Sequence, residues 1–120
     1  MTNFDTKLTN IEMTKAIQSY LNKRLAKLEK FIGDDSSAHG QVEIGKTTTA
    51  QHSGEIFRAE INLHISGKSL RTEFSETDLY SAIDKARDEM IRSLKSYKGR
   101  QRSLFKKGSI KVKNLLRFRR

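Results

Sequence analysis

Residues 57–74 read Phe-Arg-Ala-Glu-Ile-Asn-Leu-His-Ile-Ser-Gly-Lys-Ser-Leu-Arg-Thr-Glu-Phe. Phe57, Ala59, Ile61, Leu63 and Ile65 alternate with Arg58, Glu60, Asn62 and His64. A period of two sends one set of side chains to each face, so this is a strand with one buried face. Gly67-Lys68 predicts a tight turn. Leu70, Thr72 and Phe74 against Arg71 and Glu73 then predict a returning strand. Because the other face of the pair is polar, whatever covers these strands must do so from one side.

Upstream, Lys46 to Gly54 reads as a polar hairpin connection with a mobile tip, Val42 and Ile44 mark a short strand, and residues 33–41 read as a loop. Before that loop, Ala16, Ile17, Tyr20, Leu21, Leu25, Leu28, Phe31 and Ile32 recur at helical spacing. Thr14 can accept from a free first-turn amide and so predicts the helix start, while Gly33 predicts its end. The opposite face of that helix carries Lys23, Arg24, Lys27 and Lys30. Near the N-terminus, Phe4, Thr6 and Leu8 alternate with polar neighbours as a short strand.

Downstream, Ser75-Glu76-Thr77-Asp78 offers a capping hydroxyl and early carboxylates, which suit a helix start and its dipole. Leu79, Ile83, Ala86, Met90, Leu94 and Tyr97 form the apolar stripe of this second helix, and Gly99 predicts its end. The expected fold class is α+β, in the order β-α-β-β-β-α. A four-stranded sheet carries two roughly parallel helices on one face. Residues 1–99 make this domain, and residues 100–120 are expected as a basic, flexible tail.

The charge is segregated. The chain has 120 residues and a formal net charge of +10. Residues 1–90 hold 12 Lys/Arg and 14 Asp/Glu, and residues 91–120 hold 12 Lys/Arg and no acid, so −2 and +12 return the total. A concentrated cationic block predicts a polyanion partner, nucleic acid before an anionic membrane. No three hydrophobic residues are consecutive, so no segment qualifies as a membrane span or the apolar core of a signal peptide. Cysteine is absent, which excludes disulfides, thiolate metal sites and Cys nucleophiles. Lys23, Lys27 and Lys30 stand at i, i+4 and i+7 on the first helix, and Lys85, Arg92 and Lys95 are expected on one side of the second. Two such ridges, side by side, would bound a groove for phosphates.

At both helices the residues carry a resemblance. Asn10-Ile11-Glu12-Met13-Thr14-Lys15-Ala16-Ile17 and Lys23-Arg24-Leu25-Ala26-Lys27-Leu28-Glu29-Lys30-Phe31 resemble the ribosome hibernation-promoting factors, including the ribosome-associated inhibitor A group of ribosomal subunit interface proteins. Asp78-Leu79-Tyr80-Ser81-Ala82-Ile83-Asp84 is similar to that family's second-helix start, and Arg92, Leu94 and Lys98 to its basic end. The similarity covers roughly residues 2–100.

The resemblance implies a fold like that of double-stranded RNA-binding domains. It implies binding to the small ribosomal subunit where mRNA and the A- and P-site tRNAs lie, blocking translation and preserving idle ribosomes. It implies rRNA contacts from Lys23, Arg24, Lys27, Lys30, Arg92 and Lys98. Helical geometry adds Lys85 and Lys95, and the basic end adds Arg100 and Arg102. The family often has Lys, Gln and Lys where this chain has Glu89, Ser93 and Ser96. The chain resembles the short forms, which lack the ribosome-pairing domain of the long ones. The expected partners are the small subunit, its rRNA and the assembled ribosome. Also expected are no cofactor, no small-molecule substrate, no membrane, a monomer off the ribosome and a cytoplasmic location.

Chemistry is not indicated. His39, His52 and His64 fit no metal-ligand spacing, and Asp34-Asp35 suits a turn. Asp84 suits pairing along the helix surface, and Tyr80 and Tyr97 suit the core rather than base stacking. Two other functions compete: a generic double-stranded RNA-binding regulator, or a protein that docks on a membrane or partner through Leu115, Leu116 and Phe118 with their flanking arginines.

Overall fold

The computed structural model describes residues 3–47 and 56–118, with side chains described over 4–47 and 56–101. The elements are β1 (Asn3–Thr9), α1 (Lys15–Ile32), β2 (His39–Thr47), β3 (Ile56–Ile65), β4 (Lys68–Glu76) and α2 (Leu79–Phe118). The α+β order is the expected one. The sheet runs β1-β2-β3-β4, with β1 parallel to β2 and the other pairs antiparallel.

The local reasons are those of the sequence. Thr14 Oγ1 accepts from Ile17 N–H at 3.1 Å and opens α1. Gly33 closes it at φ 76°, a left-handed backbone that glycine adopts without a Cβ clash, and its N–H donates to Glu29 O. Leu21, Leu25, Leu28 and Ile32 of α1 and Leu79, Ile83, Ala86, Met90 and Leu94 of α2 bury against Val42, Ile44, Ala59, Ile61, Leu63 and Ile65 in one cluster. Both helices therefore cover the same face of the sheet. Thr72 is buried there too, and its hydroxyl donates to Ala86 O at 2.9 Å, which satisfies that polar group within the core.

Four boundaries differ from the sequence expectation. β2 begins at His39 and runs through Lys46 to Thr47, so it absorbs the end of the expected loop and the start of the expected connection. Its inward positions are Gly40, Val42 and Ile44, and a glycine gives no apolar signal. The β3–β4 turn is Ser66-Gly67, both at positive φ (49° and 77°), rather than Gly67-Lys68. At the start of α2 the cap is a carboxylate, not a hydroxyl: Asp78 accepts from Tyr80 N–H at 3.4 Å and Ser81 N–H at 3.2 Å. Finally, α2 does not stop at Gly99 but continues to Phe118. A glycine inside a helix costs roughly 1 kcal/mol against alanine and does not by itself end it. The remainder of the expected Lys46–Gly54 connection, including His52, lies outside the described residues.

Candidate nucleic-acid interface

Three lysines of α1 meet the expectation of a free basic ridge. Lys23, Lys27 and Lys30 are exposed, opposite the buried leucines, and pair with no acid among the described residues. Arg24 does not join them. Its Nε lies 3.1 Å from Asp84 Oδ1 of α2, and its guanidinium stacks 4.5 Å from the Tyr20 ring centroid.

That contact belongs to a fastening between the helices. Tyr20 OH donates to Asp84 Oδ2 at 2.7 Å, and the Tyr20 and Tyr80 rings meet edge to face at 4.5 Å. Burial, and then the carboxylate that accepts its hydrogen bond, hold the Tyr20 hydroxyl above its ordinary value. Arg87, only 6% exposed, reaches Asp88 at 2.6 Å and lies 4.0 Å from Asp84. Asp84 thus pairs between helices rather than merely along one. The space expected as an open groove is a filled seam of aromatic and charged side chains. Tyr80 packs in that seam, half-buried, and Tyr97 packs against the core.

On α2 the expected single side splits in two. Lys95 leans toward α1, its Nζ 4.8 Å above the Phe31 ring. Lys85 pairs with Glu76 at the end of β4, and Arg92, 73% exposed, pairs with Glu89 one turn back. Arg100 is exposed. Arg102 lies in the backbone of α2, and its side chain is outside the described residues. Lys98 is half-buried and turned inward. Its Nζ donates to Phe31 O and Ile32 O, each at 2.8 Å, and so satisfies the last carbonyls of α1, where a cation is also favoured by the helix dipole. The family resemblance alone could not have shown that role, since it depends on where α1 ends in space.

The open face of the sheet carries a feature the sequence displayed but did not connect. Arg58 of β3 reaches Glu43 of β2 (3.3 Å), Glu60 of its own strand (3.2 Å) and Glu73 of β4 (3.0 Å), while Arg71 reaches Glu60 and Glu73 at 2.5 Å. Glu60 is only 8% exposed, which its two guanidinium partners permit. The hydrogen bond with Glu73 holds Arg58 above its ordinary value, and the same bond holds the Glu73 carboxyl below the usual carboxylate range. The register sets Glu43, Glu60 and Glu73 directly opposite one another across three strands, with Arg58 and Arg71 on the diagonals between them, and that arrangement needs the register to be read. His39 and His64 are register partners on this face, stacked at 4.7 Å, with His64 Nδ1 2.8 Å from Ser69 Oγ. His39 is therefore a strand residue rather than a loop one. No group of three or more His, Asp or Glu that could hold a metal ion occurs among the described residues. Among those residues, no helix is long and apolar enough to cross a membrane.

The arrangement is a cationic ridge on paired helices, backed by a sheet face whose three carboxylates and two guanidiniums pair with one another. The chain is similar to the "Ribosome hibernation promotion factor" of Lactococcus lactis subsp. cremoris, 29% identical over 100 residues, covering 83% of this chain and 51% of that protein. The protein of the same name from Deinococcus radiodurans is 28% identical over 91 residues, covering 76% and 46%. The crystal structure of the Thermus thermophilus Protein Y N-terminal domain superposes with a TM-score of 0.63 at 30% identity, over 80% of this chain and 99% of that one. A ribosomal subunit interface protein from Coxiella burnetii gives the same TM-score, 0.63, at 12% identity over 82% and 99%, which speaks to the fold alone. The chain spans about half the length of the curated relatives it matches. The family pattern described as "Sigma 54 modulation protein / S30EA ribosomal protein" matches residues 4–102, which take in the sheet, α1 and the first part of α2, and the chain belongs to that family.

Proposed function

We propose that this protein is a ribosome hibernation factor, which binds small-subunit rRNA in the channel used by mRNA and the A- and P-site tRNAs. Bound there, it would exclude mRNA and tRNA sterically and keep the idle ribosome intact, with no covalent bond made or broken. The observation that carries the proposal is the ridge of Lys23, Lys27 and Lys30, uncommitted to any described acid, on a fold whose relatives are named for ribosome hibernation. Folded rRNA presents phosphate ridges more than open base edges, so its recognition rests on shape and charge. A rigid platform with fixed lysine spacing suits that task, because phosphate contacts set register.

On α2, Lys95, Arg92 and Arg100 are the exposed cations that complete the contact, with Arg102 beyond them on the same helix. Arg24, Lys85 and Lys98 contribute less directly, since each is engaged within the protein. The place of action is the cytoplasm, and off the ribosome the chain acts as a monomer. The test is a sucrose-gradient profile of stationary-phase lysate at low and high salt. The chain is expected with small subunits and assembled ribosomes at low salt, and to be displaced by high salt or added tRNA. The charge-reversed triple variant K23E/K27E/K30E is expected at the top of the gradient. If this variant still sediments with ribosomes and inhibits translation, the α1 ridge is not the contact. A wild-type chain that never sediments with ribosomes, but binds RNA duplexes generally, would instead make it a generic RNA-binding regulator.

A further inference from the structure

α2 outruns the domain that it helps to build. Its 40 residues make a rod of about 60 Å, while α1 has 18 residues and the longest strand has 10. α1 ends where Lys98 meets Phe31 O and Ile32 O, and the β3–β4 turn reaches α2 at Gln101, across a cavity that Ser66 and Tyr97 also line. Residues 102–118 continue the helix for about another 25 Å, and the molecule is 73 Å long against a width of 32 Å. We propose that this overhanging segment binds the surface of an anionic phospholipid bilayer, lying among the headgroups without crossing them.

Three observations carry it. First, the apolar face of α2 does not stop with the core. Placed on the helical backbone at about 100° per residue, Leu104, Phe105, Val112, Leu115 and Leu116 fall within one arc of about 120°. Of the other positions in 102–118, only Gly108 shares that arc. The buried Leu79, Ile83, Ala86, Met90 and Leu94 fall within it too, so the face that meets the sheet runs on past the end of the domain. Second, the rest of the circumference is cationic. All six Lys/Arg of residues 102–118 fall there, on both flanks of the arc, and the segment has no acid. Ile110 and Phe118 are its two apolar positions outside the arc. Third, the arc and the α1 ridge face opposite ways, because Lys23, Lys27 and Lys30 stand opposite the leucines that meet the sheet.

The pattern selects a bilayer among anionic partners. RNA phosphates would engage the cations and leave the apolar arc in water. A second copy would set six cations against six. An acidic protein groove would need carboxylates at fixed points along both flanks, whereas anionic headgroups are mobile and supply charge wherever a cation sits. A basic helix with leucine and phenylalanine on one face sinks that face to the acyl boundary, while its lysines and arginines stay among the headgroups. Among the described residues no helix can cross a membrane, and interfacial binding needs none that can. This reading replaces the sequence expectation of no membrane partner. It stands apart from the ribosomal function, and the opposed directions of the two contacts allow both at once.

The experiment floats the full chain with vesicles of equimolar phosphatidylglycerol and phosphatidylcholine, and with vesicles of phosphatidylcholine alone. The wild type is expected to float with the former and not the latter. Part of its binding should survive high KCl, because salt screens charge and not apolar burial. The double variant Phe105→Gln/Leu116→Gln keeps every charge. It is expected to bind roughly tenfold more weakly and to come off entirely at high KCl. Ile110→Gln, on the cationic side of the same helix, is expected to float as the wild type does. These positions lie beyond residue 101, so the domain should keep its stability, as urea unfolding would check, and both variants should still sediment with ribosomes. A wild type that does not float, a double variant that floats as well as the wild type, or an equal loss in Ile110→Gln overturns the proposal. So does a double variant that loses ribosomes along with vesicles, which would assign the arc to the ribosome. A wild type that floats as described yet never sediments with ribosomes leaves this proposal standing and removes the ribosomal function.

Discussion

At the scale of single residues, two positions separate structural from functional roles. A Cβ on Gly40 would overlap the Phe4 ring of the neighbouring strand, so the site accepts no larger residue without displacing that ring. Gly40→Ala is expected to destabilise by about 1–3 kcal/mol, as overpacked sites do, with a lower urea midpoint and an unchanged slope. Lys98 is the more instructive case, because the resemblance assigned it to RNA and the structure spends its ammonium on Phe31 O and Ile32 O. Lys98→Met keeps the aliphatic stem and removes those two donors. It is expected to cost about 1.5–3 kcal/mol of stability, the range for hydrogen bonds to a charged group. Lys27→Met, by contrast, should leave stability within about 0.5 kcal/mol, because an exposed side chain without partners stabilises little, and should weaken ribosome binding. Matched unfolding and co-sedimentation measurements on the two variants check the contrast.

At the scale of elements, legibility followed the side chains. β3 could be read because every inward position from Ala59 to Ile65 is apolar and every outward one polar. The start of β2 could not, because Gly40 stands where the alternation needed a hydrophobe, and its place is set by Phe4 across the strand pair. The parallel pairing of β1 was likewise invisible, since it depends on where α1 returns the chain. Glycine also misled at α2. Gly33 ends a helix because its φ is positive and its N–H closes on Glu29, whereas Gly99 lies inside the helix with open space around a would-be Cβ. Gly99→Ala should therefore stabilise α2 by roughly 0.5–1 kcal/mol, seen as a higher thermal midpoint. A glycine alone does not distinguish the two cases; the left-handed backbone does. The basic ridge of α1 was legible from spacing, but the commitments of Arg24, Lys85 and Lys98 required the partner elements to be in place.

At the scale of the whole molecule, acid stability should depend on tertiary carboxylate partners. Hydrogen bonds from Ser37 and Ser66 hold Asp35 below its usual value, and the bond from Arg58 does the same for Glu73. A folded-state value below the unfolded one means that stabilisation is present above the unfolded value, near pH 4. It is lost as pH falls through the folded one. Urea unfolding is expected to show stability declining below about pH 4, with a shallower decline in Glu73→Gln. The same carboxylates have a second consequence. Because Glu43, Glu60 and Glu73 outnumber Arg58 and Arg71 by one charge across the uncovered strands, this network offers a passing polyanion no net pull. Tumbling in solution, the molecule presents one side without free cations in its charge network and one side with an exposed lysine ridge, and the proposed contact needs the latter. With the proposed contact on α1, the way round the molecule lands is then set in part by acids on the opposite side.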